Sequence, residues 1–255
     1  MTIARQTPLP RGVLQWSDAP RTETLDAGDI HIIAVALDEP DAAARSLIDQ
    51  AITAAERTRA DRFHFAVDRD RFLVGRAVLR GLLAQHTGRA PDDIPIVEGA
   101  RGKPLLAAGI DDTLQFNVSH SRGLALVALT RLGELGIDVE AIHDLSDLVS
   151  VAERYFAPDE RAVIRELDGQ ARIEAFFTCW TRKEAYIKAL GEGLAHPLDR
   201  FVVAMRAGEP ARFLRIGDDT SAASAWTLAD LRPAPGFVGA LAIQTPNAHL
   251  RCWRW

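Results

Sequence analysis

Two short stretches, ADRFHFAVDRD at 60–70 and AERYFAPDER at 152–161, read as the same text once one gap is allowed. In each, an arginine-bearing helix end runs through aromatic residues into an acidic helix start. A long helical pattern and then strands follow both. A chain that repeats a local signature with the same order of elements behind it is built from two similar units. The echo therefore predicts two α+β halves, 1–132 and 133–255, with a ligand-binding cleft between them. Two arginine-rich helix ends can also resemble each other by chance, so the prediction leans on the element order as well as on the letters.

Working outward, residues 1–28 are expected to form an irregular extension, because Pro8, Pro10 and Pro20 interrupt any regular element. IHIIAVAL predicts a strand. DAAARSLIDQAITAAERTRADRF predicts one helix opened by Asp41 as its cap. DRDRFLVGRAVLRGLLAQHTG predicts a second helix, apolar at Phe72, Leu73, Ala77, Leu79, Leu82 and Leu83 and stopped by Gly88. Short strands follow at IPIVEG, LQFNVSH and LALVALT, with a turn at GARGKP. The order then starts again. GIDVEAI is a strand, and LVSVAERYF, DERAVIRELDG and RIEAFFTCWTRKEAYIKALGEG are helices. RFVVAM, ARFLRI, AWTLADL, GFVGALAI and HLRCWRW are strands, with Pro233 and Pro235 marking a turn.

The 255 residues suffice for a sizeable core, and 47% hydrophobic with 25% charged residues is ordinary for a soluble globular protein. A net charge of −5 argues against general nucleic-acid binding. Cys179 and Cys252 form no CxxC pair, which argues against a disulfide framework or a cysteine zinc site and points to the cytoplasm. MTIARQTPLPRGVLQW lacks the apolar core of a signal peptide, and no apolar run reaches membrane-spanning length. Lysine occurs three times, at 103, 183 and 188, and the other basic residues are arginine. A GC-rich coding bias accounts for most of this. The three lysines still mark places where a compact, flexible ammonium can matter.

GIDVEAI (136–142) carries Asp138 and Glu140 two residues apart, hence on one face of a strand. Like charges that close repel unless a cation lies between them. In WTRKEAYIKALGEGL (180–194), Glu184 and Lys188 sit one helical turn apart, a pair worth ~0.3–0.5 kcal/mol at a surface. The neighbouring FFTCW argues instead for a buried face, where charges need partners. In FNVSHS (116–121), Phe116, Val118 and His120 share one face, and Asn117, Ser119 and Ser121 share the other. Adjacent Ser and His therefore point apart, which with the lack of a GxSxG elbow argues against a hydrolase dyad. RGKP (101–104) is a turn that presents Lys103. There is no GxxxxGK[ST] loop, no GxGxxG after a strand and no HExxH.

Taken in order and at these spacings, GKP (102–104), FNVSHS, GIDVE (136–140) and WTRKEAYIKALGEGL resemble the 4'-phosphopantetheinyl transferases. With ERTRADRF and DRDRF upstream, the resemblance runs over 56–201, and it is to the long, monomeric, surfactin-synthetase-activating type. It implies an α+β pseudo-dimer of two similar halves, the second carrying the metal site, with coenzyme A in the cleft between them. A serine hydroxyl of an apo acyl or peptidyl carrier protein attacks the β-phosphate and 3',5'-ADP leaves, which is the holo-acyl-carrier-protein synthase reaction. Asp138, Glu140 and Glu184 are then ligands of Mg²⁺, with Mn²⁺ as a substitute. Glu184 is the base, directly or through water, and Lys188 stabilises the diphosphate. His120, Lys103, Arg71 and Arg59 grip the coenzyme A phosphates, Ser119 joins them, and Gly102 and Pro104 shape the adenine side. The expected setting is polyketide or nonribosomal peptide biosynthesis by a cytoplasmic monomer, with no nucleic acid and no membrane. Two rivals keep parts of this pattern: another Mg²⁺-dependent enzyme acting on a nucleotide diphosphate, and a catalytically silent relative that binds carrier proteins. Intact paired carboxylates speak against silence.

Overall fold

Strand β2 (Asp29–Ala36) is buried along its whole length except for the last residue, so it has core on both faces. Ile33 and Val35 pack against a helix layer, while Ile30, Ile32 and Ala34 pack against a second sheet, as the period of two in a strand requires. In the computed structural model, which describes residues 14–18, 24–99, 101–193, 196–217 and 221–255, this strand is central to a mixed α+β fold.

After β2 come α1 (Ala42–Ala51), α2 (Ala54–Ala60), α3 (Ala66–Thr87), a small hairpin of β3 (Ile96–Glu98) and β4 (Pro104–Leu106), then β5 (Gln115–Ser121) and β6 (Leu124–Thr130). After β7 (Leu135–Ala141) come α4 (Leu148–Tyr155), α5 (Pro158–Glu166), α6 (Gly169–Leu190), the pair β8 (Phe201–Val203) and β9 (Phe213–Ile216), then β10 (Thr227–Leu231) and β11 (Phe237–Ile243). The order is the same twice. The strands form one sheet, β1-β12-β2-β6-β5, and another, β10-β11-β7. Strand β12 (His249–Arg254) lies parallel between β2 and the short β1 (Trp16–Asp18). Alternate residues of β2 and β7, with Leu126, Leu241 and Ile243, form an apolar layer between the two sheets, and each sheet carries its helices on its outer face.

Two expectations are corrected here. The stretch read as one helix after Asp41 is two: Asp41 does cap α1, accepting from Ala44 N–H at 2.7 Å, but the chain turns extended at Ile52 and restarts at Thr53. Thr53 and Glu56 exchange hydrogen bonds in a capping box, and TAAE is the letter pattern of such a start. The extension expected to be irregular contains β1, where Trp16 joins the layer between the sheets; residues 1–13 and 19–23, with Pro8, Pro10 and Pro20, lie outside the described residues.

The long helices α3 and α6 each have 22 residues and each ends on a left-handed glycine, Gly88 (φ 68°) and Gly191 (φ 69°). Each carries a buried cation at the same place relative to that glycine. Arg80 bonds the Glu56 carboxylate and the carbonyls of Pro91 and Ile94. Lys183 pairs with Glu160 at 2.8 Å and bonds the carbonyls of Leu198 and Phe201. Both acidic partners sit in the first turn of the preceding helix, and both carbonyl pairs flank a 3-10 turn. Lys183 is thus a wholly buried strut of the second half, one of the three rare lysines but turned away from open surface.

Gly136 sets how closely α6 approaches β7. A Cβ there would overlap the Ala185 carbonyl and the Ala189 amide nitrogen, both backbone atoms that cannot step aside. Gly136→Ala is expected to lower the unfolding free energy by about 3 kcal/mol through overpacking, read by denaturant titration of the purified chain.

Candidate active site

Strand β7 is the edge of its sheet, and its odd-numbered residues Leu135, Ile137 and Val139 face the layer between the sheets. Asp138 and Glu140 therefore face the other way, toward α6, which Gly136 has let in. Glu184 and Lys188 come up from successive turns of that helix. Lys188 Nζ donates to Asp138 Oδ1 at 2.6 Å, to Ser119 Oγ at 3.1 Å and to the Ile137 carbonyl at 3.3 Å. Asp138 is buried; Glu140, Glu184 and Lys188 are half-buried.

The crowding of carboxylates has an electrostatic signature. Burial, then the charges of Asp138 and Glu140, push the Glu184 carboxyl up to about 7, against the pull of Lys188. Burial also raises Glu140, with Asp138 adding to it and the hydrogen bond from Ser121 opposing. Among the described residues no trio of His, Cys, Asp or Glu side chains is gathered to hold an ion by itself. What stands ready is one oxygen: Asp138 Oδ2 is buried with no hydrogen-bond partner, while Oδ1 carries both Lys188 and Ser119. An all-oxygen donor set with an orphaned carboxylate oxygen suits a hard divalent cation that takes its remaining ligands from phosphate and water.

Strand β5 lies beside β7 and carries the neighbouring groups. His120, near its end, is exposed as a whole residue; partial desolvation, followed by the charges of Lys188 and Arg71, holds its pKa below the ordinary value. Arg71, on α3, is gripped bidentately by Asp38 at 2.6 and 2.9 Å. Asp38 lies against Gly123, where a Cβ would overlap its carboxylate. Lys103, in the β3–β4 turn where Gly102 takes φ 76°, reaches across to Glu134 at 2.6 Å and to the carbonyls of Leu135 and Lys188. Pro104 opens β4 beside it.

The structure so brings Asp138, Glu140, Glu184, Lys188 and Ser119 together, with His120, Arg71 and Lys103 around them. Arg59 stands apart, bridged to Glu98 on the exposed side of α2 and resting over the Phe72 ring. Ser119 is buried, bonded to Asp138 and Lys188. Sequence reasoning missed Asp38 and Glu134, the carboxylates that hold Arg71 and Lys103, and the part played by Asn117 and Ser121. The alternation in FNVSHS was the available signal for the last two, but it did not say what that face meets.

In the metal-free chain a carboxyl raised from 4.5 to about 7 binds more protons folded than unfolded between those values. Its contribution to stability is therefore lost as pH rises through that window. Glu184→Gln removes the loss, so the variant's melting temperature relative to the parent is expected to increase from pH 5 to pH 8, measured in EDTA.

Comparison with known proteins gives this arrangement its family. The family described as "4'-phosphopantetheinyl transferase superfamily" matches residues 134–242, and "4'-phosphopantetheinyl transferase, N-terminal" matches 39–131. The 4'-phosphopantetheinyl transferase HetI of Nostoc sp. is 36% identical over 241 residues, covering 94% of this chain and 98% of that protein. A putative 4'-phosphopantetheinyl transferase of Synechocystis sp. is 33% identical over 59% of this chain and 61% of its own length. Sfp of Bacillus subtilis is 29% identical over 60% of this chain and 66% of its own length. The chain belongs to the 4'-phosphopantetheinyl transferases, enzymes that move a phosphopantetheine arm onto a carrier protein, and to their long, Sfp-like type.

Proposed function

We propose that this transferase works as a pseudo-dimer of halves 1–132 and 133–255, with coenzyme A lying in the cleft between them and Mg²⁺ held on the second half. The repeated element order, the paired struts Arg80 and Lys183, and the abutting of the two family matches at 131 and 134 support the division. The observation that carries the site reading is the orphaned, buried Oδ2 of Asp138 amid Glu140, Glu184 and Lys188.

Asp138, Glu140 and Glu184 would hold the ion together with diphosphate oxygens and water. When bound, it orients the diphosphate and offsets charge developing there. Lys188 leaves Asp138 for the diphosphate and stabilises the departing phosphate. His120, Lys103 and Arg71 grip the coenzyme A phosphates. Lys103 and Arg71 already stand ordered by Glu134 and Asp38. Arg59, whose exposed bridge to Glu98 is readily exchanged, reaches in from α2. Gly102 and Pro104 shape the adenine side. Glu184 takes the proton of the carrier serine, directly or through a water. Product is the holo carrier and 3',5'-ADP. The partners are apo acyl or peptidyl carrier proteins, met by a monomer in the cytoplasm. No helix among the described residues is long and apolar enough to cross a membrane.

The test is to mix the protein with apo carrier protein, coenzyme A and Mg²⁺ and weigh the carrier. One added phosphopantetheine arm is the expected product. No gain across fatty-acid and peptide-synthetase carriers, with coenzyme A binding confirmed, would favour a silent carrier-binding relative. Asp138→Ala is expected to abolish the Mg²⁺-dependent gain while the fold persists. Glu184→Gln should lower kcat about 10²-fold or more and change coenzyme A affinity far less. Replacing Arg71, Lys103 and His120 together should erase the preference for coenzyme A over dephospho-coenzyme A in KM, and an unchanged preference would move the 3'-phosphate site elsewhere.

A further inference from the structure

Strands β5 and β7 belong to different sheets, yet they lie side by side, and side chains join them. Asn117 Oδ1 accepts from Ile137 N–H at 2.9 Å, Ser119 Oγ from Val139 N–H at 3.3 Å, and Ser121 Oγ from Ala141 N–H at 3.1 Å. Three alternate residues of one strand thus satisfy three alternate amides of the other. The two serines do something that Asn117 does not. Ser119 Oγ donates to Asp138 Oδ1 at 2.8 Å, and Ser121 Oγ donates to Glu140 Oε2 at 2.6 Å.

A serine hydroxyl has one proton. With β7's amide fixed as donor to the oxygen, that proton is free to go to the carboxylate beside it. Each serine therefore binds one oxygen of its carboxylate and leaves the other turned away. At Asp138 the oxygen left over is the buried, unpartnered Oδ2. We infer that Ser119 and Ser121 are positioning residues: clamped by the amides of β7, they aim Asp138 and Glu140 so that one oxygen of each is presented to the metal. The inference rests on the metal reading above. It assigns Ser119 a place beneath the carboxylates, where its hydroxyl is engaged by Val139, Lys188 and Asp138, instead of on coenzyme A.

Asn117 provides the control. It is the third rung of the same ladder, and the amide oxygen it places there has no proton to give a carboxylate. Ser119→Ala, Ser121→Ala and Asn117→Ala each remove one partner of a β7 amide, so all three should lower the melting temperature. Only the serine variants should weaken metal binding. Mn²⁺ is titrated into the chain with one equivalent of coenzyme A, and bound ion is read by electron paramagnetic resonance against coenzyme A alone. The serine variants are expected to raise the Mn²⁺ Kd about tenfold, the scale on which groups that orient metal ligands act. Asn117→Ala should leave it within twofold, and Ser121→Thr, which keeps the hydroxyl, should restore it. Undiminished binding by both serine variants, or an equal loss in Asn117→Ala, overturns the inference and leaves the metal reading standing. Absence of binding by the parent chain overturns the metal reading and this inference with it.

Discussion

An edge strand exposes amides that must find acceptors, and a buried edge without them is strongly disfavoured. In this protein the edge of one sheet, β7, is answered by the side chains of the edge of the other, β5. The rest of the site hangs on that contact. It sets the register between the two sheets, carries His120 to the rim of the carboxylate cluster, and leaves two serine protons pointing at Asp138 and Glu140. Apolar packing alone would hold the sheets together, but it is tolerant of sliding. Directional bonds at alternate residues are not, because a slip of one residue turns every side chain to the other face.

The same scaffold is used twice with different chemistry. On β2 the helix-facing positions include Ile33 and Val35, which pack into the core of the first half, and His31, which lies against His86 of α3. On β7 the helix-facing positions are Gly136, Asp138 and Glu140. Removing the side chain at Gly136 brings the helix close; placing carboxylates at the next two sites turns a core into a charged pocket. Such a pocket is tolerable because its charges are answered. Lys188 lies on Asp138 and Ser121 on Glu140, and burial raises Glu184 toward its neutral form. Away from the site, the second half keeps the structural logic of the first, with Lys183 and Glu160 in the place of Arg80 and Glu56.

How far this was legible differs by feature. The strands and long helices could be read because their periodicity and their stops, Gly88 and Gly191, are local properties of the chain. The break between α1 and α2 was written as TAAE, but the apolar pattern running through it concealed the restart. The pairing of β1 with β12 joins the two ends of the chain, and nothing local to residues 16–18 points to it. The three rare lysines looked alike in the sequence. Their fates differ because the helix turns 100° per residue: Lys188 faces β7, while Lys183 faces Glu160 in the opposite core.

By itself the sequence determined most of the element order, its repetition, and the residue types at the site, because each depends on neighbours a few positions away. GIDVE and WTRKEAYIKAL together also determined the family. The tertiary structure decided which groups meet. It put Asp38 on Arg71, Glu134 on Lys103 and the FNVSHS serines on the carboxylates, contacts that span from 19 to 33 residues of chain. Such partners are chosen by how two sheets pack, through a glycine that admits a helix and side chains that bridge two edges, and packing of that kind leaves no periodic mark in the letters.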